Sequence, residues 1–143
     1  MNTSKQLRLY YRLQVAAHAV QKAADRVISA AAQLTTAQAA VLTIVAAGEG
    51  VTQRDVAIAL HLNESAVTAM VVRLVKLRLL ERVRSRDDPR AWHLSLSRRG
   101  GTALAASRAS FASINKRIEG QFSQREIEQF VEYLYRLTLI FQH

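Results

Sequence analysis

The stretch that decides the fold is Thr52–Leu77, TQRDVAIALHLNESAVTAMVVRLVKL, because it contains the start signals of two consecutive helices. Thr52 with Asp55 is typical of a capping box, and Asn63 is a typical N-cap for the helix that follows. The side-chain oxygens of such residues accept hydrogen bonds from free N–H groups in the first helical turn. Between the two helices His61-Leu62 leaves room only for a tight turn. The stretch therefore predicts a helix-turn-helix unit.

The second helix of this unit, from Asn63 to about Leu77, has two chemically different faces. At 100° per residue, one face is apolar and is expected to pack inward: Val67, Met70, Val71 and Leu74. The opposite face is the one that would enter a DNA major groove: Ser65, Thr68, Ala69, Val72, Arg73 and Lys76. Its hydroxyls can make single hydrogen bonds to bases, its small apolar residues can contact thymine methyl groups, and its two cations can hold phosphates.

Two more helices are predicted upstream. Thr35 with Gln38 forms a capping box for a short helix, which Gly48 and Gly50 end. Before it, about Ser4 to Ala32 is expected to form one long helix with a narrow apolar stripe, at three- and four-residue steps: Leu7, Tyr10, Leu13, Ala17, Val20, Ala24, Val27 and Ala31.

After the helix-turn-helix the hydrophobic period changes from 3.6 to 2, which predicts a β-hairpin. Trp92, Leu94 and Leu96 alternate with polar residues, as in a half-buried strand. Leu80–Arg86 is the expected partner strand, and residues 87–90 (DDPR) form the turn. A hairpin in this place is a wing, so the fold class is mainly α with a small β-hairpin wing. Gly100-Gly101 is expected to lead into a helix from about Thr102 to Glu119.

Positive charge is concentrated on this unit. Between Arg73 and Arg99 there are nine basic residues and three acidic ones, a net +6 out of the chain's +9. Such a field favours a polyphosphate partner, namely double-stranded DNA, although a merely soluble basic face or an anionic membrane surface also fits. In the wing Arg84, Arg86 and Arg90 suit a DNA minor groove. Asp88 is expected to orient the Arg90 guanidinium, and the alternative is that it only forms the turn.

The last helix indicates assembly. Ser123 and Glu126 form a capping box, and the helix after them is apolar on almost every side towards its end. Since one small core cannot cover it, a homodimer built from the first and last helices is favoured over packing within the subunit. The expected dimerisation residues are Leu7, Tyr10, Phe130, Leu134, Leu137 and Phe141. The chain is thus divided into a dimerisation helix (1–32), a winged DNA-binding lobe (33–100) and C-terminal dimerisation helices (101–143).

Composition excludes several other classes. The chain has no cysteine, which removes disulfides and thiolate metal sites. Its four histidines are scattered and lie at no spacing typical of catalysis or zinc binding, so we expect no enzyme, no metal and no cofactor: His18, His61, His93 and His143. No apolar run has the length of a membrane span, and a cytoplasmic protein without a membrane partner is expected.

Four segments, in this order and spacing, resemble the MarR (multiple antibiotic resistance regulator) family of winged-helix transcription factors: Leu34–Leu42, Leu62–Leu74, Asp88–Ala91, and Leu94–Ser97 with Gly100. The resemblance implies an obligate homodimer that binds a pseudo-palindromic operator, usually as a repressor. It also implies that a small aromatic or anionic effector can release the DNA, with no effector-binding residue identified. The mild chemistry of the reading face leaves open an architectural or low-specificity nucleic-acid-binding protein, and a protein-interaction module is a third possibility.

One residue departs from the family pattern. Arg78 stands where the family has a glycine, at a helix end that tends to need a left-handed backbone. That conformation costs a non-glycine residue at least about 1 kcal/mol. Either the turn is built differently here, or Arg78 is tolerated because its charge faces DNA.

Overall fold

The computed structural model describes residues 3–141, and side chains from residue 8 onward. Within these residues it contains six helices and one antiparallel hairpin: α1 (Thr3–Ala32), α2 (Thr36–Ala47), α3 (Gln53–Leu60), α4 (Glu64–Lys76), β1 (Leu80–Arg84), β2 (Trp92–Leu96), α5 (Arg98–Glu119) and α6 (Gln124–Ile140). The predicted fold class, mainly α with a hairpin wing, is confirmed.

Helices α2, α3, α4 and α6 begin where the sequence signals place them. Thr35, Thr52 and Ser123 each form a reciprocal capping box, in which the hydroxyl accepts from the backbone three residues on and that residue's side chain accepts in return. Asn63 caps α4, since its Oδ1 accepts from the Ala66 N–H at 2.8 Å. These caps satisfy N–H groups that a helix start otherwise leaves unpaired.

Three helix ends use a left-handed residue that is not glycine. Gln33, His61 and Arg78 have φ values of 55°, 52° and 59°. At His61 the turn is closed by a hydrogen bond from the Leu62 N–H to the Ala57 carbonyl at 3.0 Å. α3 and α4 are therefore joined by the tight turn that the sequence predicts.

The residues up to Ser110 form one compact unit around a single hydrophobic core. On α4, Val67, Val71 and Leu74 are fully buried and Met70 packs against them, which confirms the predicted inward face. The core also takes side chains from α1, from α2 and α3, from both strands and from α5: Ile28, Leu34, Val41, Leu42, Val56, Leu80, Leu94 and Leu104. Full burial of each such side chain contributes about 1.5–3 kcal/mol to folding.

The hairpin is antiparallel, with Leu80 opposite Leu96 and Arg84 opposite Trp92. The predicted alternation of β2 holds at Leu94, which is buried, and at Leu96, which is half-buried. It fails at Trp92, whose side chain is 48% exposed. The Leu94 N–H also donates to the Val51 carbonyl at 2.7 Å, so the wing is tied to the connection between α2 and α3.

Helix α5 begins four residues earlier than expected, at Arg98, so that the two glycines lie in its first turn. Ser97 takes the capping position: its Oγ accepts from the Gly100 N–H at 2.9 Å and donates to the Arg78 carbonyl at 2.6 Å. Gly100 is required by packing, because a Cβ there would lie 2.0 Å from the Leu79 carbonyl oxygen. Gly100 thus permits close approach to the end of α4 instead of ending a loop.

The second compact unit begins at Phe111 and contains the end of α5 and all of α6. No residue of α6 is buried, although many of its side chains are large and apolar. The rings of Phe122 and Phe130 stack with their centroids 6.3 Å apart, which holds the start of this helix.

Within the described residues no single helix has the length and apolar composition of a membrane span, and two bent helix pairs have them only when taken together. No group of three or more metal-ligating side chains occurs in the same part of the chain.

Candidate nucleic-acid interface

The outer face of α4 is open to solvent along its whole length. All six residues predicted to face DNA are exposed: Ser65, Thr68, Ala69, Val72, Arg73 and Lys76. Val72 is an apolar side chain that is 50% exposed in the middle of this face. The two cations lie in the last turn of the helix, where positive charge also interacts favourably with the helix dipole.

A hydrogen-bonded chain links this face to α3 and to the wing. Thr68 Oγ1 donates to the Glu64 carbonyl at 2.8 Å and accepts from Gln53 Nε2 at 3.0 Å. Gln53 Oε1 in turn accepts a hydrogen bond from Arg82 Nη2 at 3.2 Å. Sequence reasoning missed Gln53 and the role of Arg82, because residues 29 positions apart leave no local pattern that would connect them. We call Thr68, Gln53 and Arg82 the cross-link.

The base of the wing holds Arg84 by two contacts within the protein. Its guanidinium carbon lies 4.9 Å from the centroid of the Trp92 ring, a cation–π contact. Its Nη1 also donates to the Pro89 carbonyl at 3.2 Å. Arg84 therefore braces the hairpin loop, and the same pairing explains why Trp92 lies outside the core.

The tip of the wing is a hydrogen-bonded loop that presents two free-standing arginines. Ser85 Oγ accepts from the N–H groups of Asp87 and Asp88 at 3.2 and 3.3 Å. Asp88 Oδ1 accepts from the backbone N–H of Arg90 at 2.9 Å, so the contact made by this carboxylate is the turn-forming one, with the main chain instead of the guanidinium. Arg86 lies past the end of β1, in the loop and not on the strand as predicted. Both Arg86 and Arg90 are exposed.

The end of α4 shows how Arg78 is accommodated. The Arg78 N–H donates to the Val75 carbonyl and the Leu79 N–H to the Leu74 carbonyl, each at 2.9 Å, which is the Schellman pattern. With φ at 59°, Arg78 occupies the left-handed position itself. The turn is therefore built as it would be with glycine, and Arg78 adopts the strained conformation with its side chain exposed.

A half-buried carboxylate ties α1 to the start of α2. Asp25 Oδ1 accepts from the Thr36 N–H at 2.8 Å, at the start of α2, and Asp25 Oδ2 accepts from Gln21 Nε2 at 3.2 Å. The hydrogen bond from the Thr36 backbone holds the pKa of Asp25 below its usual value. In α3 the Thr52 backbone N–H likewise lowers the pKa of Asp55. Both carboxylates are therefore ionised at neutral pH and stabilise the helix starts.

The residues expected at a dimer interface are located as follows. Tyr10 on α1 is 67% exposed. In the C-terminal unit Phe130, Leu134 and Phe141 are exposed and Leu137 is half-buried. Leu7 belongs to α1, but its side chain is outside the described part of the structure.

Comparison with known proteins identifies the lobe. The model of the MarR family matches residues 32–91, which run from the end of α1 through the helix-turn-helix to the tip of the wing. By this match the lobe is similar to the MarR family. The solved structure of this family that superposes on the chain is that of a transcription regulator, which agrees with the prediction that the chain is not an enzyme. No curated protein matches the chain in sequence.

Solved MarR-type structures superpose on most of the chain. A MarR family transcription regulator, SP03579, superposes with a TM-score of 0.84 at 21% identity, over 97% of this chain and 93% of that one. MepR of S. aureus in complex with DNA gives a TM-score of 0.82 at 24% identity, over 90% and 95%. PcaV of Streptomyces coelicolor, a transcriptional regulator in complex with its natural ligand, gives 0.76 at 25% identity, over 96% and 95%. The predicted winged helix-turn-helix is thus confirmed.

Proposed function

We propose that this chain is a MarR-family transcription regulator that binds a pseudo-palindromic DNA operator as a homodimer and acts as a repressor. The observation that carries the proposal is the exposed outer face of α4, with two hydroxyls, two small apolar side chains and two cations, beside a wing with exposed arginines. In this proposal α4 enters the major groove and Arg90 and Arg86 reach the minor groove. The structurally similar MepR has been solved in complex with DNA, which supports DNA binding by this chain.

The dimer in this proposal is formed by residues 1–32 and 101–143, with 33–100 as the DNA-binding lobe. Tyr10 and Tyr11 of α1 are 67% and 64% exposed, and Phe141 after α6 is 77% exposed. Large apolar and aromatic surfaces of this kind are typical of protein interfaces. A two-fold dimer also explains a palindromic site, because its two recognition helices reach half-sites about 34 Å apart.

A small aromatic or anionic effector is proposed to release the DNA. The support is the PcaV structure, which contains a natural ligand of that regulator. Because the spacing of the two half-sites is fixed by the duplex, a ligand that shifts the recognition helices apart weakens binding to both at once.

The test is the salt dependence of DNA binding for Arg90→Ala. Loss of one phosphate or minor-groove charge contact is expected to weaken binding and to lower the slope of log K against log[salt] by about one. Arg125→Ala, which removes the same charge from an exposed position on α6, is the matched control and is expected to leave the slope unchanged. Equal slopes for wild type and Arg90→Ala would remove the wing from the mechanism.

A competition between a selected palindromic duplex and bulk DNA separates the specific regulator from the low-specificity alternative. A specific regulator prefers its site by about 10³-fold or more. A ratio near one would favour an architectural protein, and a protein that remains monomeric at micromolar concentration would contradict the two-fold arrangement.

A further inference from the structure

We propose that the reading face of α4 offers hydrogen-bond acceptors and methyl groups but no hydroxyl donor to DNA, and that it therefore selects A·T pairs beneath Ser65, Thr68, Ala69 and Val72. This inference rests on the proposed function, because it specifies the bases that the same face reads. It follows from the directions of five hydrogen bonds, which are fixed by neighbouring groups that can only donate or can only accept.

The hydroxyl hydrogen of Ser65 is already used within the protein. The Ala66 backbone N–H, which can only donate, lies 2.8 Å from the side-chain atom Oδ1 of Asn63 and identifies that atom as the oxygen. Ser65 Oγ lies 2.8 Å from the same oxygen, so the Ser65 hydroxyl must donate to it. A hydroxyl has one hydrogen and two lone pairs, and Ser65 therefore faces solvent only as an acceptor.

The hydroxyl hydrogen of Thr68 is fixed by the cross-link. A guanidinium has no acceptor, so the Gln53 atom 3.2 Å from Arg82 must be the carbonyl oxygen. The amide nitrogen of Gln53 then points at Thr68 Oγ1, 3.0 Å away, and Thr68 accepts from it. The Thr68 hydrogen goes to the Glu64 carbonyl at 2.8 Å. One lone pair of Thr68 remains for a ligand.

The apolar members of the face complete the pattern. Ala69 and Val72 are exposed on the same side of α4, and half of the apolar Val72 side chain is open to solvent. In the major groove, adenine and cytosine present an amine that can donate, guanine presents only acceptors, and thymine presents a methyl group. Only an A·T pair offers both an amine to a hydroxyl acceptor and a methyl group to an apolar side chain. A guanine would place its acceptors against protein acceptors.

Gln53 acts in this scheme as a positioning residue. It does not need to touch DNA, since it orients the Thr68 hydroxyl and joins it to Arg82 on β1. The cross-link also fixes the position of the wing relative to the reading face. The wing and α4 therefore bind the duplex with a fixed relative orientation.

The experiment is selection of bound sites from a random duplex library, in parallel for the full-length wild type, Thr68→Val and Thr68→Ser. The wild type is expected to enrich half-sites with A·T pairs at the positions under α4. Thr68→Val has the same shape without the hydroxyl and is expected to lose the adenine preference at one position, whereas Thr68→Ser keeps it. Guanine enrichment at these positions, or an unchanged preference in Thr68→Val, would overturn the inference while leaving the proposed function intact.

A second measurement tests the contacts by atom. In the selected duplex, replacing one adenine by purine removes its amine, and replacing one thymine by uracil removes its methyl group. Each change within the half-site is expected to weaken wild-type binding by about three- to ten-fold, as for loss of one hydrogen bond or methyl contact. At the base pair that residue 68 contacts, replacing adenine by purine should not weaken DNA binding by Thr68→Val any further. Equal losses for both proteins would refute the acceptor role, and failure to enrich any palindrome would refute the proposed function itself.

Discussion

Replacement of Arg78 by glycine is expected to stabilise the protein. The residue lies in the left-handed region with φ at 59°, held there by the Leu79–Leu74 and Arg78–Val75 hydrogen bonds and by Ser97. A non-glycine residue pays about 1–2 kcal/mol for this conformation. Glycine removes that cost but loses about 0.4–1 kcal/mol through the greater freedom of the unfolded chain. The net gain in free energy of unfolding is about 0.5–1 kcal/mol.

The assay is urea unfolding and thermal unfolding at one fixed protein concentration, because assembly would otherwise contribute to stability. For a chain of this size the gain corresponds to a rise in Tm of roughly 1–4 °C. Arg78→Ala is the matched control: it removes the same charge but keeps a Cβ, and we expect it to be less stable than Arg78→Gly by about the same 0.5–1 kcal/mol. The two variants are expected to bind DNA equally. The reasoning is wrong if Arg78→Gly is no more stable than Arg78→Ala.

Three further predictions concern other elements of the lobe. Asp25→Asn keeps an acceptor for the Thr36 N–H but removes a carboxylate whose pKa in the folded protein lies below the ordinary 3.8. That carboxylate stabilises the fold above its ordinary pKa, and the stabilisation is lost as the pH falls through its pKa in the folded protein. The free energy of unfolding of the variant should therefore decrease less with acid than that of the wild type, as measured by urea unfolding at several pH values. Gly100→Ala should destabilise the fold by about 1–3 kcal/mol because the new Cβ meets the Leu79 carbonyl. Gly101→Ala has open space around its Cβ and should stabilise α5 by about 0.5–1 kcal/mol. Calorimetry distinguishes the two variants, and equal effects on stability would contradict the packing argument. Trp92→Ala should weaken DNA binding by roughly two- to five-fold through loss of the cation–π contact that braces the wing, and a salt slope lowered by a full unit would show instead that a DNA charge contact had been lost.

Features governed by neighbours in the chain could be predicted from the sequence. The caps at Thr35, Thr52, Asn63 and Ser123 were all identified correctly, because the donor and acceptor lie within three residues of each other. The buried face of α4 followed from its 3.6-residue period. Three of the four segments that resemble the MarR family lie within the matched residues 32–91.

Features governed by distant contacts could not be predicted. Trp92 continues an apolar alternation, and only its pairing with Arg84 across the hairpin keeps it at the surface. The start of α5 was misplaced because glycine usually ends a helix, whereas Gly100 is dictated by the approach of the Leu79 carbonyl. Gln53 was missed because its partners come from α4 and β1.

The place of Trp92 has an optical consequence. The protein has one tryptophan, and its indole ring lies half-exposed on the wing against a guanidinium. Excitation at the red edge of the protein's absorption therefore excites only this tryptophan. A change in tryptophan emission when duplex is added reports on the hairpin, and the measurement needs no attached dye.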